Sequence, residues 1–269
     1  MTEIRRNLIT GEPVIFAPER ASRPNAFAHE SDACPFCPGH EDETPPELAR
    51  IGDPWRVRVF ANKFPTTPQH EVIVESPHHD ATFAAIEKPA EIVAMYVERY
   101  RAHSTAGAKH VTLFKNHGPM GGASLEHIHS QIAGLPFIPP RVEREQAAFA
   151  RRCPLCEPEA RVVNVSEHFR LIAPYGSSFA HEQWIVPRHH APNFTAMNDR
   201  VTNDLGLCLR DLAGSIERIT TSYNWLFMNF SVRAHWYVQA IPRLTTIAGF
   251  ELATGTFINI VDPEQTCSR

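Results

Sequence analysis

Two stretches of the 269-residue chain place apolar residues at intervals of three and four, the spacing of one helical face: PAEIVAMYVERYRAH, residues 89–103, and VTNDLGLCLRDLAGSIERI, residues 201–219. A related block precedes each. HEVIVESPHHDATFAAI, from His70, and HEQWIVPRHHAPNFTAM, from His181, align without a gap, matching His78 with His189 and His79 with His190. Strand-like runs follow both helices: HVTLFKNHGPMGGASLEHIHSQIAGLP in the first half and YNWLFMNFSVRAHWYVQAIP in the second. Order, spacing and residue type agree, so the chain reads as an internal duplication. The expected fold class is α+β, mainly antiparallel sheet with flanking helices, in two units covering residues 1–140 and 141–269. A linker is expected near LPFIPPRVEREQ, where Pro136, Pro139 and Pro140 discourage regular structure.

Within the first half, SLEHIHSQ sets His127, His129 and Gln131 at alternate positions. On a strand these three point to one face, while Ile128, Ser130 and Ile132 point to the other. Such a polar face is either a solvated surface or a reaction centre.

Composition narrows the choice. A hydrophobic fraction of 43% with 21% charged residues describes a globular chain able to bury a substantial core. The net charge of −4 gives no electrostatic basis for a nucleic-acid groove or an anionic membrane surface. No apolar run is long enough to cross a bilayer, and MTEIRRNLITGEP lacks the apolar core of a secretion signal, so a cytoplasmic location is expected.

Four of the six cysteines form two close pairs, CPFC (Cys34, Cys37) and CPLC (Cys153, Cys156), and fifteen histidines accompany them. In a reducing compartment this spacing points to metal ligands or a redox dithiol before structural bridges. Each half offers two cysteines, a histidine after a strand and a histidine on a later strand. The sets are Cys34, Cys37, His79 and His127, then Cys153, Cys156, His190 and His235, a donor set that suits closed tetrahedral zinc. One or two zinc ions per chain are therefore expected. His78 and His189 are adjacent alternatives that spacing cannot separate from His79 and His190. The redox reading needs a helix beginning at the cysteine, and Pro38, Gly39, Pro45 and Pro46 in PGHEDETPPE oppose one.

If a metal holds His127, strand geometry leaves His129 beside it on the same face. A neutral imidazole is a competent nucleophile toward phosphorus. Upstream, NHGPMGGAS carries Asn116, Gly118, Gly121, Gly122 and Ser124, a loop whose backbone N–H groups could meet phosphate oxygens. In the second half Tyr237 stands where His129 does, and NFSVRA has no glycine. One active half and one supporting half follow.

At this point the sequence resembles the galactose-1-phosphate uridylyltransferase family of the histidine-triad superfamily, over nearly its whole length. The resemblance rests on GEPVIFAPERASRP, CPFCPGHEDETPPE, VRVFANKFP, SPHHDAT, FKNHGPMGGASLEHIHSQ and PRLTTIAGFELATGTFINIVDPE. The cysteine pair of the second half brings it closest to the ADP-glucose phosphorylase-like branch. The resemblance implies two histidine-triad-like halves, the second lacking the nucleophile. It implies that His129 attacks the α-phosphorus of a nucleotide sugar, giving a nucleotidyl-histidine that a hexose 1-phosphate then accepts in a ping-pong cycle. Gln131, Ser124 and the backbone of Gly121 and Gly122 would stabilise the transferring phosphoryl group. Arg20, Arg23, Asn62 and Asn116 match nucleotide-contacting positions, and Glu251 matches a sugar-contacting glutamate usually contributed across a homodimer.

The chain departs from the family pattern in three places. Ile128 replaces the proline of the usual His-Pro-His, a mild change for a strand. Thr245 stands at the apparent position of a lysine that some members use for hexose phosphate. His235 and Tyr237 replace a His-x-His pair that serves an iron site in some members, which argues against iron and against galactose 1-phosphate as acceptor. Alternative readings keep the intermediate but pass it to phosphate (a phosphorylase) or to water (a hydrolase). A non-catalytic, zinc-structured nucleotide-binding protein and a thiol–disulfide exchanger are the readings from other classes. Without the resemblance, Arg20 and Arg23 read as solvated surface charges, and Trp184, Trp225 and Trp236 read as core.

Overall fold

Capping chemistry sets where the two long helices begin. Pro89 opens helix α1 (Pro89–Thr105), at a position where its missing N–H has no partner to lose. Asn198 caps helix α3 (Asp199–Glu217) by accepting from the Val201 N–H at 3.1 Å. A computed structural model of the chain describes residues 3–22, 34–158, 160–231 and 234–266.

The strands are β1 (Glu3–Arg6) and β2 (Pro13–Phe16), which form a separate hairpin, then β3 (Glu47–Ile51), β4 (Val57–Ala61), β5 (Gln69–Val74), β6 (His110–His117) and β7 (His129–Leu135). The second half contributes β8 (Ala160–Val165), β9 (Phe169–Pro174), β10 (Gln183–Pro187), β11 (Tyr223–Met228) and β12 (Tyr237–Pro242). One ten-stranded antiparallel sheet runs β3-β4-β5-β7-β6-β11-β12-β10-β9-β8. From either edge inward the order is the same, three strands in sequence followed by the fifth and then the fourth. The halves meet where β6 pairs β11, with Asn116 opposite Asn224. The expected α+β architecture, mainly antiparallel, is what the chain adopts.

Both long helices lie on one face and pack on each other. Gly206 of α3 allows this, because a Cβ there would stand 2.8 Å from the backbone of Pro89 and Ala90. The core beneath them takes Ile128 and Ile132 from the first half and Val238 and Ala240 from the second. Alternate residues therefore face away from the helices: Cys34, Phe36, Phe60, Val72 and Val74 form one cluster there, and Val142, Phe149, Leu155, Val186 and Tyr237 another.

Three expectations change. The linker is confined to residues 136–139, because VEREQ belongs to helix α2 (Pro140–Phe149), which Pro140 begins, so a boundary at 140 falls on the first residue of a helix. β7 starts at His129, so His127 lies two residues before the strand's first position. Trp225 and Trp236 are core, but Trp184 is half-buried and stacks on Tyr237 with ring centroids 4.4 Å apart. Among the described residues, no helix is long and apolar enough to cross a membrane.

Candidate active site

The short turn that follows Cys34 returns Cys37 beside it, with the Cys37 N–H donating to the Cys34 carbonyl at 3.2 Å. His127 Nδ1 lies 3.6 Å from Cys34 Sγ and 3.5 Å from Cys37 Sγ, and His79 Nδ1 lies 3.4 Å from Cys37 Sγ. One donor atom from each of these four residues falls within 4.8 Å of the other three. His127 Nε2–H donates to the Ser76 carbonyl at 2.7 Å, which places the ring's lone pair on Nδ1, toward the thiols. Burial holds that imidazole neutral, its pKa pushed down to about 4 despite the hydrogen bond to Ser76. Two soft thiols, two imidazoles and a locked tautomer fit a four-coordinate metal.

The second half repeats the arrangement. His235 Nδ1 lies 3.6 Å from Cys153 Sγ and 4.0 Å from Cys156 Sγ, with His190 Nδ1 3.4 Å from Cys156 Sγ. His235 Nε2–H donates to the Pro187 carbonyl at 2.8 Å. This cluster is the more exposed of the two. In both halves the second histidine of the His-His pair joins the thiols, while His78 and His189 are exposed.

His129 occupies the first position of β7, opposite Val74, and its ring stands edge-on to Phe36 at 5.3 Å. It is 6% exposed. Its Nδ1–H donates to the His127 carbonyl at 2.8 Å, so in the neutral ring the lone pair is on Nε2. Gln131, opposite Val72 and Phe114, shares this face. Its Oε1 lies 3.1 Å from His70 Nε2 and 3.3 Å from Asn62 Nδ2. Asn116 lies two residues beyond Phe114 on β6, on the same face, and its Oδ1 accepts from Asn224 at 2.9 Å. Arg20 donates to the Phe64 carbonyl, two residues from Asn62.

The remaining expected residues are the loop glycines, Ser124, Glu251 and Arg23. The N–H groups of Gly121 and Gly122 donate to the Gly118 and Pro119 carbonyls at 3.1 Å, so the loop closes on itself and these amides turn it instead of pointing at His129. Gly118 takes φ of +69°, and a Cβ on Gly121 would collide with the His117 carbonyl; close packing accounts for both glycines. Ser124 is half-buried in the turn before β7. Glu251, on helix α4 (Gly249–Thr254), accepts from the Ala248 N–H at 3.1 Å, and no hydrogen bond among the described residues ties it to His129. Arg23 lies outside the described residues.

Sequence reasoning missed the support beneath the strand that carries His129. On the helix-facing side, Ser130 Oγ donates to Glu75, which also accepts from Tyr96 Oη and from Lys115 Nζ. Lys115 Nζ donates to the His129 carbonyl as well, at 3.1 Å. Alternation on β6 would have placed Lys115 inside the core, which was the available signal. In the second half Tyr237, Gln239 and Trp184 line a cavity of about 670 Å³ together with Arg141 and Glu145.

Comparison with known proteins extends these observations. A family model described as the N-terminal domain of a domain of unknown function, DUF4931, matches residues 19–138. ADP-glucose phosphorylase of Arabidopsis thaliana is 31% identical, over 97% of this chain and 90% of that protein. Galactose-1-phosphate uridylyltransferase of Thermotoga maritima is 26% identical, over 100% and 98%. The crystal structure of the Arabidopsis ADP-glucose phosphorylase with bound ADP-glucose superposes with a TM-score of 0.81 at 30% identity, over 99% of this chain and 97% of that one. With the same fold and this extent of shared sequence, the chain belongs to the family of ADP-glucose phosphorylase and the galactose-1-phosphate uridylyltransferases.

Proposed function

We propose that the chain is an enzyme that takes a nucleoside monophosphate from a nucleotide sugar onto His129 and passes it to a hexose 1-phosphate. The observation that carries this reading is the His129 tautomer, with Nδ1–H bound to the His127 carbonyl and the lone pair on Nε2. Nε2 attacks the α-phosphorus and a P–N bond forms. The bond from that phosphorus to the bridging oxygen breaks, and the sugar 1-phosphate leaves with the electron pair. The proton stays on Nδ1, where the His127 carbonyl steadies the charge the ring acquires. A phosphate oxygen of the acceptor then attacks the same phosphorus, the P–N bond breaks, and the neutral ring returns.

Gln131 donates to the transferring phosphoryl group, while Asn62, Asn116 and Arg20 border it on the nucleotide side. Zinc is the metal that both Cys-Cys-His-His sets suit, and in the first half it would cross-link residues 34–37, His79 and the start of β7. A homodimer is part of the same reading. Phe250, Leu252, Ile258 and Ile260 are exposed along the C-terminal segment, an apolar strip that a second copy would cover while bringing Glu251 to its partner's sugar site.

Orthophosphate as acceptor is the second reading, favoured by the 31% identity to ADP-glucose phosphorylase. Turnover with hexose 1-phosphates, orthophosphate and no acceptor separates the two from hydrolysis. The intermediate is tested with UDP-glucose and ADP-glucose labelled at the α-phosphorus. Wild-type protein should retain acid-labile, base-stable label, and His129→Ala should retain none while its fold is unchanged. Absence of label on the wild type would favour a nucleotide-binding role without catalysis. Normal transfer by His129→Ala would remove the nucleophile.

A further inference from the structure

His70 has no place in the transfer steps above, yet its hydrogen bonds determine how Gln131 can act. The backbone N–H of Thr66 donates to His70 Nδ1 at 3.0 Å. A backbone amide can only donate, so Nδ1 carries the lone pair and the proton of the neutral ring sits on Nε2. That Nε2–H faces Gln131 at 3.1 Å, so the glutamine must present its carbonyl oxygen there. Asn62 reaches the same oxygen by a parallel argument. Its Oδ1 accepts the Phe64 N–H at 2.8 Å, which turns its Nδ2 toward Gln131 Oε1 at 3.3 Å.

Two donors on one oxygen leave a single orientation of the amide, with its NH2 on the opposite side. Among the described residues, none accepts from that NH2. Gln239, the equivalent residue of the second half, differs: its oxygen accepts from Arg141 at 2.6 Å and its NH2 donates to Glu182 at 2.6 Å. Both of its ends are taken up within the protein. Only the active half keeps an amide donor for a ligand.

We propose that His70 is a positioning residue that fixes the Gln131 amide so that its NH2, not its carbonyl, faces the transferring phosphoryl group. The inference rests on the nucleotidyl-histidine reading. A carbonyl turned toward phosphoryl oxygens would repel the charge that builds there, whereas an NH2 stabilises it. Without His70 only the longer bond from Asn62, at 3.3 Å, holds the oxygen, so the flipped orientation, which opposes the reaction, becomes easier to populate.

The test uses His70→Asn and His70→Gln in the full chain, with single-turnover labelling from an α-labelled nucleotide sugar. Asparagine can keep the bond to Thr66 but cannot reach Gln131; glutamine reaches Gln131. His70→Asn should slow labelling about tenfold, the scale of one lost hydrogen bond, with little change in KM. His70→Gln should recover most of that rate. In a Gln131→Ala background His70→Asn should have no further effect, because the group it positions is gone. A purely structural role for His70 in holding the Thr66 turn predicts the reverse order of the two variants. Wild-type rate in His70→Asn, no recovery in His70→Gln, or additive losses with Gln131→Ala would each overturn the proposal. Gln131→Glu gives an independent check, since it keeps the acceptor for His70 and removes the NH2; it should lose as much as Gln131→Ala, and full activity would overturn the inference. Label on the wild type is the control. If it is absent the transfer reading itself falls, and if it is present the outcome bears on His70 alone.

Discussion

Replacing Lys115 with methionine tests the support under β7. Lys115 and Glu75 form an ion pair whose side chains are both fully buried. Loss of hydration pushes the lysine pKa down, and the Glu75 carboxylate opposes this only in part. Methionine fills most of the lysine's volume, so the main effect is electrostatic: Glu75 loses its cation and keeps two hydroxyl donors, Tyr96 and Ser130. Breaking a buried pair on one side costs about 3–5 kcal/mol. The two remaining donors place this case near about 3 kcal/mol, a fall in midpoint of roughly 6–12 °C for a chain of this size. Adding Glu75→Gln removes the stranded charge and still accepts from both hydroxyls, so the double variant should regain at least half of the loss. Urea unfolding of the wild type, both single variants and the double variant measures the coupling. A Lys115→Met variant within about 1 kcal/mol of wild type, or a double variant less stable than it, would refute the reasoning. The bond from Lys115 to the His129 carbonyl adds a functional readout, because labelling of His129 should slow in Lys115→Met even at temperatures where the variant is folded.

Two further expectations follow from the geometry. Burial raises the Glu71 carboxyl, but His103, with Nε2 at 3.2 Å, and the bidentate Arg99 at 2.8 Å outweigh it and hold the pKa at about 2. A carboxyl depressed in the folded state adds stability above its unfolded pKa and loses it as pH falls toward the folded value. The gap between wild type and Glu71→Gln should therefore be full above pH of about 4.5, at most about 3 kcal/mol, and shrink toward pH 2; a gap that does not change with pH would contradict it. Elemental analysis should find about two zinc ions per chain. Cys34→Ser should lose one together with labelling, and Cys156→Ser should lose one and keep labelling. The opposite pattern would mean the active half has been misassigned.

Much of this was legible because the chain is a repeat. Two Cys-Cys-His-His sets in one order, each followed by a helical period, leave few alternatives, and the same duplication shows Tyr237 standing where the first half has His129. Local chemistry did less well where competing partners decide the outcome. By residue type the glycine loop suits a phosphate cradle, whereas the Gly121 and Gly122 amides donate within their own turn. The prolines of LPFIPPRVEREQ predict a break, and Pro140 instead begins a helix.

The sequence by itself determined the fold class, the two Cys-Cys-His-His sets and which histidine is the candidate nucleophile, since these depend on residue type and periodicity. Only the tertiary structure chose His79 and His190 over their neighbours, joined the halves at β6 and β11, and set Lys115 and Glu75 beneath His129. It also assigned the tautomers of His127, His129 and His70. The Ser76 carbonyl reaches His127 from 51 residues away, brought there by register and packing, whereas the partners of His129 and His70 lie two and four residues away and depend on a local backbone path that residue type does not reveal.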